Sequence, residues 1–144
     1  MRELAACPCP FVWLALVTRP DIPADVLAML VHKTNSDWND NALLARIARN
    51  GGADRAVLLS VLGRVQSLLA AGSRPYAASL ALASRSELTV DEVSWMLTSP
   101  GASRRFRVGL RARLAERAES TNERPKRTAP LSADEDTAPP LPVS

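Results

Sequence analysis

A chain of 144 residues that is 47% apolar but only 4% aromatic must build its interior from Leu, Ala and Val, which suits close helix packing and argues against a β-sandwich. The formal charge of +3 is unevenly spread: residues 1–118 carry fifteen Lys or Arg against ten Asp or Glu, and residues 119–144 carry three against five. One histidine, no Gly-rich phosphate loop and no His-Glu zinc motif leave no catalytic set, so the chain reads as non-enzymatic and free of cofactors.

Residues 4–17 are apolar, but Pro8 and Pro10 interrupt them and Arg19-Pro20-Asp21 follows, so the run is too short for the ~20 residues of a membrane span. The expectation is a cytoplasmic protein with no membrane partner. Cys7-Pro8-Cys9 and His32 supply three ligands where a closed zinc site needs four, and the cysteine spacing is one residue short of Cys-x-x-Cys. Small thiols beside a helix start are the plainer reading.

Seven short helices are expected in chain order. The first covers 11–18 with Pro10 in its opening turn. The second, 23–33, has an apolar stripe of Val26, Leu27, Leu30 and Val31. Ser36 or Asp37 caps a third over 37–49, with Leu43, Leu44, Ile47 and Ala48 inward and Arg46, Arg49 and Asn50 outward. After Gly51-Gly52 a fourth helix starts from residue 53, and Val57, Leu58, Val61, Leu62, Val65, Leu68 and Leu69 make it the most apolar of the set. The fifth covers 75–84, with Ala77, Leu80, Ala81 and Ala83 as packing residues.

Leu88-Thr89-Val90-Asp91-Glu92-Val93 is the clearest local signal in the chain. Thr89 and Glu92 have capping-box spacing, and Leu88 and Val93 have the spacing of a hydrophobic staple, which starts a sixth helix running to about 98. Ser99 and Pro100 then read as N-cap and first residue of a seventh, ending near 117. Residues 119–144 hold five of the eleven prolines and no apolar period, the composition of a disordered tail. Within it Pro139-x-x-Pro142 fits the minimal polyproline ligand pattern.

A repeat underlies this order. Leu14-Ala15-Leu16 returns as Leu80-Ala81-Leu82, Thr18-Arg19 as Ser84-Arg85, Asp21-Ile22-Pro23 as Glu87-Leu88-Thr89, and Asp25 as Asp91, always 66 positions on. An apolar helix, an Arg, a polar break, an acidic start and a second apolar helix form a unit that needs a neighbour to cover its apolar face. In these features residues 4–114 resemble the short α-solenoid families of the HEAT-like and leucine-rich-repeat-variant kind. That resemblance implies an all-α fold of about seven helices stacked as hairpins over 1–118, used to bind another macromolecule. Residues 35–72 fit the repeat only with insertions at Asn35-Ser36 and Gly51-Gly52.

The binding residues expected from sequence are Arg104, Arg105, Arg107, Arg111 and Arg113, which fall on one helix in a stretch with no acid between Glu92 and Glu116. At 100° per residue Arg104, Arg107 and Arg111 line up beside an apolar face of Phe106, Leu110 and Leu114. A protein partner is the first reading of this stripe and nucleic acid the alternative, because Thr89 to Leu114 also has the spacing of a helix-turn-helix. Trp38, set among Ser, Asp and Asn, is the tryptophan expected to be exposed and a candidate contact residue, whereas Trp13 and Trp95 read as core. Asp37 and Asp40 read as first-turn acids favoured by the helix dipole. The apolar N-terminal end, where a solenoid cap would be polar, makes a homo-oligomer a further expectation.

Overall fold

The computed structural model describes residues 1–122, and these are all-helical: α1 (Arg2–Ala6), α2 (Pro10–Leu16), α3 (Ala24–Val31), α4 (Asp37–Arg49), α5 (Arg55–Ala70), α6 (Tyr76–Ala83), α7 (Val90–Ser94), a 3-10 turn (Trp95–Thr98) and α8 (Arg104–Asn122). The polyproline match at Pro139–Pro142 lies outside the described residues.

Local chemistry sets most of these boundaries. The Ser36 and Asp54 side chains accept the Asn39 and Val57 amides and so cap α4 and α5. At Thr89 both halves of the capping box form, and Leu88 and Val93 on either side of it are fully buried. α5 ends in a Schellman turn. Gly72, at φ +82°, donates to the Leu69 carbonyl and Ser73 donates to that of Leu68, closing a left-handed turn that favours glycine. Gly52 has a different reason, since a Cβ there would sit 3.0 Å from the Ile22 carbonyl oxygen.

The helices pack in a regular order. α2 lies against α4, α4 against α6 and α6 against α8, while α3 packs on α5 behind them. The α4–α6 contact is the most extensive. Between the rows lie Leu27, Leu30, Leu44, Ile47, Leu58, Leu82 and Met96, each fully buried and each stabilising the fold by ~1.5–3 kcal/mol.

Polar side chains tie the ends of neighbouring helices together. Asn50 is 8% exposed; its Nδ2 donates to the Val17 and Arg19 carbonyls at 2.8 and 3.0 Å, and its Oδ1 accepts the Gly52 amide. One layer on, Arg85 donates to the carbonyls of Ala48, Asn50 and Ala53 at 2.8–3.0 Å. One layer further, Arg117 donates to the Leu88 carbonyl. Asn50 and Arg85 stand just beyond the ends of α4 and α6 and Arg117 inside α8, and each satisfies loop or helix-end carbonyls that would otherwise be orphaned.

Several sequence expectations are corrected. A helix at Arg2–Ala6 was not expected, because its five residues are too few for a period to show. Asn50 faces inward, not outward, for the reason just given, and Ala77 of α6 is exposed. The helix expected to run to about 98 is α-helical only to Ser94 and tightens into a 3-10 turn. α8 does not start at Pro100. Pro100 and Gly101 form a turn with Gly101 at φ +77°, and Ser103, whose hydroxyl accepts the Phe106 amide, does the capping. At its other end α8 runs through Asn122, beyond the helix end expected near 117.

Candidate functional site

α8 is positioned by its contact with α6. Phe106 and Leu110 are buried, and the Phe106 ring stacks on Tyr76 with centroids 4.3 Å apart and planes 14° from parallel. The Tyr76 hydroxyl also donates to the Gly101 carbonyl and accepts the Ser103 amide, both at 3.3 Å, so this residue holds the turn that aims α8. Sequence reasoning passed over Tyr76. Its one available signal was that it is the sole tyrosine in the chain.

The five expected arginines do not form one uniform stripe. Arg104, Arg105 and Arg111 are exposed and make no ion pair with any described residue. Arg104, Val108 and Arg111 follow at i, i+4 and i+7, and Val108 is 57% exposed between the two guanidinium groups. Arg107 is half-buried and its Nε is enclosed without a partner, which removes it from the free face. Arg113 is exposed but stands 3.7 Å from the Glu116 carboxylate.

Trp38 is exposed, at 73%, in the first turn of α4. It does not join the arginine surface, because α6 lies between α4 and α8. Trp13 is core, with its Nε1 donating to the Cys7 carbonyl at 2.5 Å and the Lys33 ammonium 5.5 Å from its ring centroid. Asp40 is buried and accepts the Asn35 amide, with Arg64 3.9 Å away, so its role is to shape the turn before α4.

Three acid–base pairs punctuate the breaks between helices. Arg19 meets Asp21 and Arg85 meets Glu87 through two hydrogen bonds each, the same pair 66 residues apart. Each Arg holds its carboxylate partner below the ordinary range. Glu92 is shifted furthest, to about 2, by the Arg55 guanidinium first and then by the Thr89 amide. These are structural ion pairs.

Among the described residues no group of three or more His, Cys, Asp or Glu is placed to hold a metal ion, and no helix is long and apolar enough to cross a membrane. Cys7 and Cys9 are both free and half-buried. Neither any family model, nor any curated protein, nor any solved structure matches this chain. The candidate surface therefore rests on α8 itself: Arg104, Arg105 and Arg111 around Val108.

Proposed function

We propose that this chain is a non-enzymatic helical-repeat module that binds an acidic surface on a protein partner through α8. The observation carrying this reading is the set Arg104, Arg105 and Arg111, three exposed guanidinium groups with no counter-charge among the described residues, flanking an exposed Val108. Free arginine beside an accessible apolar side chain is the composition of an interface, in which the guanidinium fork takes carboxylates and the valine is dehydrated on contact. The front row α2–α4–α6–α8 supports a reading as stacked hairpins, with α8 the last front-row helix described.

The test is competitive. Fluorescence anisotropy of a polyglutamate peptide and of a short DNA duplex, each titrated with wild type and with the triple variant R104A/R105A/R111A, separates the classes. Peptide binding lost in the variant, with duplex binding weak throughout, supports the reading. Tight duplex binding whose log–log salt slope approaches about −3 would instead identify a nucleic-acid helix whose three free arginines each neutralise a phosphate.

In α1 and α2 Leu4 and Phe11 are 51% and 78% exposed, and these two uncovered apolar side chains support self-association as a separate contact. Sedimentation of wild type beside F11D tests it. A monomer at every concentration for both proteins would end that reading.

A further inference from the structure

Two grooves open on the edge where the front-row helices end, and they are the same groove twice. The first, about 450 Å³, lies between the ends of α2 and α4; the second, about 500 Å³, lies between α6 and α8. Thr18 and Pro20 line the first, and Ser84 and Ser86 line the second, each pair 66 positions apart. Arg46, Arg49 and Asn50 complete the first, and Arg113, Glu116 and Arg117 complete the second, 67 positions on. Between them the equivalent place at the α4–α6 contact is filled by Arg85.

We infer that the two grooves are successive subsites for one extended acidic peptide, each taking an acidic side chain of the partner on an exposed arginine. The chemistry is matched in both by an exposed arginine, Arg49 in the first and Arg113 in the second, while the Thr18 and Ser84 hydroxyls donate to the Ala15 and Leu80 carbonyls and only shape the walls. In the first groove the negative end of α2 does not oppose an anion, because Arg46 and Asn50 already tie up the Leu14, Val17 and Arg19 carbonyls. Arg49 then remains exposed with no acid in the lining. In the second groove Glu116 lies 3.7 Å from Arg113 and weakens it, so the first subsite is the stronger.

The spacing favours a peptide. Two interaxial steps of ~8–10 Å separate the grooves, and about six residues of extended chain at ~3.3 Å each cover that distance. Nucleic acid is disfavoured on the same edge. The surface between the grooves is already neutralised by the Arg85–Glu87 pair, and neither groove has an aromatic side chain on which a base would stack. The inference is independent of the outer face of α8, since Arg104, Arg105 and Arg111 line neither groove.

The experiment uses the full chain at low salt and two synthetic peptides of one composition: Asp-Asp, four Gly or Ser residues, Asp-Asp; and the same residues with the four Asp together. The spaced peptide is expected to bind about tenfold more tightly, the gain of a second linked contact. R49A and R113A, both at exposed side chains, should each erase that advantage, E116Q should increase it, and R104A/R105A/R111A should leave it unchanged. Equal binding of the two peptides, loss of the advantage only in the α8 triple variant, or displacement of the spaced peptide by duplex DNA at lower concentration would each overturn the inference. Far-UV circular dichroism of the single variants separates lost binding from lost fold.

Discussion

Arg19 and Arg85 stand 66 positions apart, each after an apolar helix, and do different work. Both form a two-pronged pair with an acid two residues on, but Arg19 is half-exposed and reaches nothing else, whereas the Arg85 side chain is 14% exposed and also holds three carbonyls of the preceding unit. Hydrogen bonds from a charged, enclosed donor are the strong ones, and removing that donor leaves the carbonyls to find water at a layer contact. R85A is therefore expected to destabilise the protein by ~2–4 kcal/mol in urea denaturation, and R85K to recover little, because a single ammonium nitrogen lacks the fork whose separate nitrogens hold the three carbonyls and Glu87 at once. R19A should leave the midpoint where it is. Equal effects of R19A and R85A would refute the assignment of Arg85 as a layer lock. The 66-residue echo in the sequence pointed to Arg85, but nothing pointed to Asn50, because the intervening unit places an amide where its neighbours have a guanidinium.

At the scale of elements, boundaries follow caps more faithfully than they follow proline. The Ser99-Pro100 pair is a sound local signal for a helix start, yet Gly101 turns the chain with positive φ, and Tyr76, bonded on either side of that turn, moves the start to Arg104. That override is tertiary and could not be read from the segment alone. S103A should cost ~1 kcal/mol, the usual loss of an N-cap, and S99A distinctly less, measured by thermal unfolding; the reverse order would restore the earlier start. The capping box of α7, by contrast, was fully legible because all its partners lie within four residues. Its acid carries a pH dependence. Glu92 is held at about 2 against an ordinary 4.5, so the stability it adds is complete above about 4.5 and is lost as the pH falls toward about 2. E92Q keeps an acceptor for the Thr89 amide but cannot titrate. The gap in stability between wild type and E92Q should narrow from pH 5 to pH 2, and a gap that stays constant across that window would show that Glu92 is not the titrating group. Asp21, Asp25 and Glu87 shift in the same direction and are common to both proteins, so the comparison cancels them.

For the molecule as a whole, the apolar periods of α3, α4 and α5 were legible because their buried sides repeat every turn, and the arginine helix was legible as a charge run. The order of packing was not, since it depends on which unit locks to which. Among the described residues, Asn50 and Arg46 are the two side chains that donate from α4 or its end to the α2 segment. In a stack where each unit contacts its neighbours, cutting one lock should loosen the units on one side and spare those beyond the next. N50A is expected to cost ~1–3 kcal/mol, because it strips two carbonyls and one amide of their partner in a site that is 8% exposed. Its distribution is more telling than its size. Hydrogen exchange should speed up across α1 to α3 while α6 and α8, held by Arg85 and Arg117, keep the protection of wild type. Faster exchange spread evenly over all eight helices would mean that the described chain opens as one cooperative unit. In that case the row of helices would be a single core, with no separable layers for a partner to engage one at a time.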